Sequence, residues 1–331
     1  MKPLLQVENL EIAFVRNKVK TIYTDKVNFT LNQGEIVGVV GESGCGKSIT
    51  ALSIMGLLSN NGSVENGKIL FDDKDLLTFS EKELDQIRGK ELAMIFQNVM
   101  ASLNPVFTIG NQLTETIKVH LGYDKKDAKA YAISLLKKVG LSEPESIYRK
   151  FPHMLSGGMR QRVMIAMAIA CHPKLIIADE PTTALDVTIQ MQIMKLLMDL
   201  RKEYGMSIIL ITHDIGLIAE LADRVMVMYA SQIVEESLVD SLFTEAMHPY
   251  TRALLKSIPR IDSDKEQKLY SIPGTVPENY QDIEGCRFAD RCPYTVGKCL
   301  EKQEYRKIDS NHFVRCHMTS FRGKEIHNVA E

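Results

Sequence analysis

The sequence lacks any apolar run long enough to cross a bilayer: its longest apolar helical candidate, residues 163–170, is far shorter than the roughly 20 residues a span requires. Its first residues carry no apolar core of a secretory signal peptide. Neither sign of charge is in excess, because the net charge is only −2, so no general attraction to nucleic acid or anionic lipid is expected. Apolar residues make up 45% of the chain, which excludes general disorder. These absences predict a soluble, cytoplasmic globular protein, and 331 residues suggest about two domains.

Cysteine is sparse except near the C-terminus. Cys45 and Cys171 stand alone, whereas a crowded group consists of Cys286, Cys292, Cys299 and Cys316. In a reducing compartment such a group favours a metal site over disulfides, although its spacing is looser than the paired C-x₂-C of zinc ribbons. Four thiolates suit zinc or an iron–sulfur cluster, and the spacing alone does not choose between them. A bound metal would help to order a C-terminal tail that has little core of its own.

Short apolar runs rich in β-branched residues predict buried parallel strands over 35–40, 92–96, 175–179 and 207–212. Between the last two runs, residues 187–204 have the spacing of an amphipathic helix that Gly205 closes. A strand, a helix and a second strand at this spacing form a βαβ unit. The leading fold class is therefore α/β with a parallel sheet.

The regions flanking this core have other patterns. Residues 4–33 and 67–72 alternate as antiparallel strands do, and residues 107–150 are helical and charged, as in an inserted helical subdomain. After Pro259 the apolar periodicity fades while proline, glycine, aspartate and cysteine increase, which predicts a domain boundary near residue 260.

Residues 41–48 match the phosphate-binding pattern G-x-x-x-x-G-K-[ST]. Its glycines allow successive backbone N–H groups to surround an anion, and the helix that follows adds its positive N-terminal end. Lys47 is placed to reach the β- and γ-phosphates, and the Ser48 hydroxyl to bind Mg²⁺. Because a buried strand precedes the loop and a helix follows it, a simple glycine turn is the weaker interpretation.

Polar residues follow several of the predicted strands. Asp179 and Glu180 end one strand, where Asp179 suits Mg²⁺ and Glu180 suits a general base. His213 follows the next strand, and Gln97 follows the strand over 92–96. Residues 155–162 start a further helix with a serine and two glycines, which is a second place to bind an anion. For each of these features alone, a structural turn or helix cap is the competing interpretation.

The chain resembles the nucleotide-binding subunit of an ATP-binding-cassette (ABC) transporter. The resemblance depends on five motifs in this order and spacing: the phosphate loop, Gln97, LSGGM at 155–159, LIIADEPTTALD at 175–186 and ITHD at 211–214. The resemblance spans residues 4–258. It implies a P-loop ABC ATPase with a RecA-like parallel core, an antiparallel β subdomain and an inserted helical subdomain over about 98–165. The domains implied are a cassette over 1–259 and a cysteine-rich extension over 260–331.

The resemblance also implies roles for individual residues. ATP would be bound by Gly41, Ser43, Gly44, Cys45, Gly46, Lys47, Ser48 and Ile49, with Phe14 (or, less well placed, Tyr23) stacking on the adenine. The ATP of the opposite subunit would contact Ser156, Gly157, Gly158 and Asp186. Catalysis is expected from the base Glu180, the switch residue His213 and the coupling residue Gln97, and Mg²⁺ ligation from Ser48, Gln97 and Asp179.

Several segments narrow the resemblance to ATPases of oligopeptide, dipeptide and nickel importers: Met159 in place of the commoner glutamine, the run 98–105 and the ending His248-Pro-Tyr-Thr-Arg. Such importers imply two transmembrane permease subunits, a second ATPase that is identical or different, an extracytoplasmic binding protein, and attachment at the cytoplasmic face of the membrane. The tail resembles extensions that hold a [4Fe–4S] cluster, with zinc as the second alternative and an empty, reduced set of cysteines as the third. A nickel or other small-solute importer and a soluble ABC ATPase remain alternative functions.

The thiol of Cys45, inside the phosphate loop, is a candidate reactive group. Because it lies beside Lys47 and at a helix N-terminus, we expect some thiolate character and inhibition of the ATPase by thiol alkylation. An equally simple interpretation is that it fills space at a tolerant position.

Overall fold

The computed structural model describes residues 2–183, 185–258 and 270–318. The strands are β1 (Pro3–Arg16), β2 (Val19–Asn32), β3 (Ile36–Val40), β4 (Gly62–Phe71), β5 (Lys74–Asp75), β6 (Leu92–Ile95), β7 (Leu175–Asp179), β8 (Ser207–Ile211), β9 (Arg224–Tyr229), β10 (Gln232–Leu238), β11 (Arg306–Lys307) and β12 (Phe313–Val314). The helices are α1 (Lys47–Ile54), α2 (Glu81–Ile87), α3 (Val99–Ser102), α4 (Ile109–Leu121), α5 (Lys125–Lys138), α6 (Pro144–Arg149), α7 (Gly157–Ile169), α8 (Val187–Tyr204), α9 (Ile215–Leu221), α10 (Val239–Glu245) and α11 (Pro249–Lys256).

The central sheet has eight strands in the order β11-β12-β10-β9-β3-β8-β7-β6. Strands β9, β3, β8, β7 and β6 are parallel to one another, and β10, β12 and β11 continue the sheet beyond β9 in antiparallel pairing. The predicted α/β class with a parallel core is confirmed. The four predicted strands and the helix over 187–204 form at the expected positions, and Gly205 ends that helix with a φ of 65°.

Two hydrophobic cores lie on opposite faces of the central sheet, because successive side chains of β3 point to opposite faces. Ile36 and Val40 belong to the core shared with the helices, whereas Val37 and Val39 belong to the core beneath the second sheet. That second sheet is antiparallel, in the order β2-β1-β4-β5. All five residues of β3 are buried because both of its faces are covered.

Helices α4, α5 and α6 pack together as the predicted helical insertion. They bury an apolar stripe against α7 that includes Leu113, Leu135 and Val163. None of the helices in the part of the chain that is described has the length and apolar character needed to cross a membrane.

The C-terminal residues join the central sheet. Strand β12 pairs with β10 through Glu235 and Val314, and buried His312 binds Glu235 at 2.8 Å. The predicted boundary near residue 260 lies outside the described residues.

Candidate active site

The phosphate loop connects β3 to α1, and its own lysine binds two of its carbonyl groups. Lys47 Nζ donates to the carbonyl oxygens of Gly41 and Glu42, at 2.8 and 3.1 Å. A Cβ on Gly41 would lie 2.1 Å from the Met228 carbonyl oxygen, so glycine is required there. Gly46, with a φ of 103°, leads into the first turn of α1. The loop therefore presents backbone N–H groups, a helix N-terminus and an ammonium group in one place.

Ser48 and Asp179 meet although they are 131 residues apart in the chain. The Ser48 hydroxyl donates to Asp179 Oδ1 at 3.1 Å, because parallel β3 and β7 end on the same edge of the sheet. Asp179 is buried at the end of β7, and this burial raises the pKa of its carboxyl group, with a weaker opposite effect from the Ser48 hydrogen bond. The two oxygen-bearing groups sit beside the phosphate loop, as the sequence predicts.

Glu180 is the centre of a polar cluster. Its Oε2 accepts hydrogen bonds from Gln97 Nε2 and from the Thr183 hydroxyl, each at 2.8 Å, and its Oε1 lies 3.5 Å from His213 Nδ1. Its backbone has a φ of 46°, and its N–H donates to the Ile211 carbonyl. The ends of three strands thus bring together residues 97, 180 and 213.

The electrostatics of Glu180 favour its ionised form. Burial raises the pKa of Glu180, but the hydrogen bond from Thr183, the neighbouring His213 and the hydrogen bond from Gln97 outweigh it, so that its pKa is lowered. A carboxylate that remains ionised near neutral pH is able to accept a proton from water. Thr183 was missed from the sequence, where it is one of two threonines in a run with no distinguishing signal.

The predicted second anion-binding site lies elsewhere. The Ser156 hydroxyl caps α7 by accepting from Met159 N at 3.3 Å, and Asp186 caps α8 by accepting from Ile189 N at 3.0 Å. The two helix starts are neighbours: a Cβ on Gly158 would lie 3.0 Å from Ile189 Cγ2. In the ranges that the structure covers, no hydrogen bond joins Ser156, Gly157 or Gly158 to the phosphate loop.

The two candidate adenine-binding rings are in contact on the antiparallel sheet. Phe14 and Tyr23 pack edge to face with ring centroids 5.1 Å apart. Tyr23 is next to the phosphate loop, since a Cβ on Gly46 would lie 3.5 Å from the Tyr23 carbonyl oxygen. Phe14 is also half-buried against the core beneath this sheet. Its role in adenine stacking stays a prediction.

The four C-terminal cysteines are free thiols that line one small cavity, together with His248 and His317. Burial raises the pKa of Cys286 to about 12, and raises those of Cys292 and Cys316 as well. Within the described ranges, however, no group of three or more His, Cys, Asp or Glu side chains is arranged to hold a metal ion. The structure therefore brings the cysteines together, as predicted, but shows no formed iron–sulfur or zinc site in the described ranges.

Comparison with protein families identifies two regions of the chain. Residues 24–183 match the family model "ABC transporter", and residues 234–299 match "Oligopeptide/dipeptide transporter, C-terminal region". The second match begins in β10, so it includes part of the central sheet as well as three of the cavity cysteines.

Full-length relatives agree with these matches. The oligopeptide transport ATP-binding protein AppD of Bacillus subtilis (strain 168) is 51% identical, covering 98% of this chain and 99% of the relative. The dipeptide transport ATP-binding protein DppD of Escherichia coli (strain K12) is 48% identical, covering 95% of this chain and 96% of the relative. Among solved structures, the dimeric bacterial ABC transporter cassette MJ0796 matches with a TM-score of 0.63 and 28% identity, over 71% of this chain and 98% of the cassette.

Proposed function

The chain belongs to the ATP-binding proteins of oligopeptide and dipeptide ABC transporters and is an ATPase of that class, and we propose that it powers the import of peptides. The observation that carries the proposal is the Glu180 cluster next to the Ser48–Asp179 pair. The relatives are named for oligopeptide and dipeptide transport, and the C-terminal match is to the same group. A nickel or other small solute is the alternative cargo.

In this proposal the phosphate loop binds the ATP phosphates through backbone N–H groups and Lys47. Ser48 and Asp179 are the residues that would hold Mg²⁺, with Gln97 as a third oxygen donor, and oxygen ligands are those that Mg²⁺ prefers. The bound Mg²⁺ would neutralise charge on the phosphate oxygens. Lys47 has to release its bonds to the Gly41 and Glu42 carbonyls to reach a phosphate.

Glu180 orients the attacking water and accepts its proton. Thr183 and Gln97 fix the carboxylate through hydrogen bonds, and His213, which is exposed, is free to turn toward the γ-phosphate. Gln97 connects this site to α3, because it lies two residues before that helix begins, and α4 follows α3 in the chain. A movement of that segment would therefore alter both the metal site and the base.

A second ATPase subunit completes the site. In the described part of the chain, the helix starts that carry Ser156, Gly157, Gly158 and Asp186 make no hydrogen bond to the phosphate loop, so we assign these residues to the ATP of the opposite subunit. The similar cassette MJ0796 was solved as a dimer, which supports a dimeric assembly. We propose a heterodimer, with a homodimer as the alternative.

The permease subunits would dock beside Gln97. Exposed apolar side chains cluster in sequence around α3 and the start of α4, with Met100 52%, Val106 71% and Phe107 49% exposed. Such a patch suits a helix of a membrane partner. The cassette would therefore be held at the cytoplasmic face by two permease subunits, which receive solute from an extracytoplasmic binding protein.

For the cysteine cavity we propose a [4Fe–4S] cluster, with zinc as the alternative. The support is the donor set itself: Cys286, Cys292, Cys299 and Cys316 face one cavity without forming disulfides. Purification without oxygen, followed by iron, sulfide and zinc analysis, tests it. A colourless protein with one equivalent of zinc would exclude the cluster, and a metal-free protein would exclude both.

The catalytic assignment is tested by Glu180→Gln in the chain reconstituted with its permease subunits. We expect ATP hydrolysis to fall by about 10²–10⁴-fold, because general-base catalysis is lost, while ATP binding persists and holds the dimer closed. Glu220→Gln is the matched control, since Glu220 is exposed on α9. Near-normal hydrolysis by Glu180→Gln would contradict the assignment. An ATPase rate of the wild type that is the same with and without permease subunits would favour a soluble ABC ATPase.

A further inference from the structure

Glu42, the second residue of the phosphate loop, is held by residues far away in the chain. Its backbone N–H donates to the Tyr250 hydroxyl at 3.0 Å, across 208 positions in sequence. Its carboxylate accepts from Arg291 Nη1 at 3.0 Å, across 249 positions. Its backbone oxygen is one of the two carbonyls that bind Lys47 Nζ. The C-terminal extension is therefore connected directly to the loop and, one bond further, to the lysine of that loop.

Arg291 is fixed in place before it reaches Glu42. Its side chain is only 6% exposed, its Nε donates to the Pro273 carbonyl at 2.8 Å, and its Nη1 also donates to the Tyr229 hydroxyl at 3.2 Å. The guanidinium group lies over the Tyr229 and Phe288 rings, 5.6 and 5.8 Å from their centroids. A planar cation held on several sides loses little freedom when it makes one more bond.

The Tyr250 hydroxyl is equally constrained. Tyr250 is completely buried and packs against Tyr229 and Phe288, with ring centroids 4.6 and 5.4 Å away. The same aromatic cluster therefore supports both groups that bind Glu42.

A second arginine binds the turn that adjoins the loop. Arg287 donates to the Ala230 carbonyl at 2.7 Å and pairs with Asp25 at 2.9 Å. The next residue of that turn, Ser231, donates its N–H to the Cys45 carbonyl at 3.1 Å. The segment from 286 to 292 is thus connected to the phosphate loop directly through Arg291 and indirectly through the turn that Arg287 binds.

The negative charge of Glu42 has to be balanced by a nearby cation if the loop is to bind polyphosphate. Its carboxylate belongs to a loop that is built to receive polyphosphate, and like charges at short range disfavour binding. The Arg291 guanidinium, 3.0 Å from the Glu42 carboxylate, neutralises that charge. Loss of Arg291 would therefore release the loop and leave an uncompensated negative charge beside the nucleotide.

We propose that Arg291 is a positioning residue for nucleotide binding, which acts through Glu42 to hold and neutralise the phosphate loop from the C-terminal extension. The proposal rests on the proposed ATP site at residues 41–48. It also gives the extension a function, because Arg287 and Arg291 directly adjoin Cys286 and Cys292 of the cysteine cavity.

The test is titration of the purified full chain with Mg²⁺ and a fluorescent N-methylanthraniloyl-ATP. We expect Arg291→Ala to raise the Kd about tenfold, which corresponds to about 1.4 kcal/mol. Adding Glu42→Gln to that variant removes the uncompensated charge, so that we expect the Kd to return at least halfway on a logarithmic scale. In the assembled transporter the KM for ATP should rise while kcat changes less.

Arg315→Ala is the matched control. Arg315 is another arginine of the extension, whose Nε and Nη1 donate to the Ile233 and Gln303 carbonyls at 3.2 Å. Its loss should lower the melting temperature and leave the Kd unchanged. If Arg291→Ala does not fold, Arg291→Lys replaces it, because lysine keeps the charge but lacks the planar fork of the guanidinium group. Its Kd for the nucleotide should then lie between the wild-type value and about ten times that value.

The possible results distinguish a failure of the Arg291 role from a failure of the proposed ATP site. If Lys47→Ala binds the nucleotide as wild type does, the proposed ATP site is wrong. If Lys47→Ala loses binding while every folded Arg291 variant keeps the wild-type Kd, the positioning role alone is overturned. An equal rise in Kd for Arg315→Ala, or no recovery on adding Glu42→Gln, would likewise overturn it in favour of a general loss of structure.

Discussion

At the scale of single residues, Cys45 lies two positions from Lys47, and the Lys47 Nζ is 3.6 Å from its Sγ. The sequence hypothesis gave this thiol some thiolate character because of that charge and the adjoining helix N-terminus. In the structure Cys45 is 1% exposed, and burial raises its pKa more than Lys47 lowers it. The hypothesis is therefore wrong for the folded chain, because desolvation of a thiolate outweighs one nearby cation.

We therefore expect Cys45 to resist iodoacetamide at about pH 7 in the folded chain, because a buried, protonated thiol is a poor nucleophile. Mass spectrometry of its peptide after timed labelling measures the reaction. The same chain in denaturant is the control, and there Cys45 should label readily. Fast labelling of native Cys45 that bound ATP prevents would restore the original hypothesis.

At the scale of elements, local signals set the ends of the helices. Asp124 starts α5 by accepting from the N–H groups of Lys126 and Asp127, each at 2.8 Å, and Gly122 ends α4 with a φ of 69°. Glu143, which precedes α6, has a φ of 55° without being glycine. Side chains that cap a helix depend on neighbours in sequence, so most of these ends are readable without the fold.

Asp124→Ala should lower the free energy of unfolding by about 1 kcal/mol, since two backbone donors lose their acceptor. Thermal unfolding of the full chain compared with wild type measures this change. Lys125→Ala, at an exposed position of the same first turn, should change the unfolding free energy by less than about 0.5 kcal/mol. Equal effects of the two substitutions would show that the cap contributes nothing.

At the scale of the whole molecule, the C-terminal residues are joined to the central sheet by a buried charged group. Glu235 is fully buried in β10 and accepts from the N–H groups of Met247 and His248 as well as from His312. The hydrogen bond that His312 donates to Glu235 raises the pKa of His312, with support from Asp309 and Glu245 and against the effect of burial. Protonated His312 therefore stabilises the attachment of the extension.

Because the folded-state pKa of His312 lies above its unfolded value of about 6.5, its contribution to stability is complete below that value and is lost as pH rises through the folded-state pKa. We expect the melting temperature of the wild type to fall between about pH 6 and about pH 8.5 more than that of His312→Gln. Scanning calorimetry of both chains across that range measures the difference. Parallel profiles would show that His312 does not titrate in this way.

Local sequence signals were enough to predict the strands of the core, the helix that Gly205 closes and the phosphate loop with Lys47 and Ser48. These features depend on apolar periodicity and on the conformations that glycine allows, both of which act over a few residues. The same local signals identified Gln97, Glu180 and His213 as strand-end residues, and the resemblance assigned their roles, which the structure leaves as proposals.

Which of these residues meet depends on how the elements pack in the folded chain, as the tertiary structure shows. The order of strands across the sheet brings Gln97 and His213 to Glu180, and the path of the C-terminal chain brings Arg291 to Glu42 across 249 positions. It also decided that Cys45 is buried, which reversed the expected effect of Lys47. Burial and long-range pairing depend on how the elements pack, and no local pattern in a single sequence contains that information.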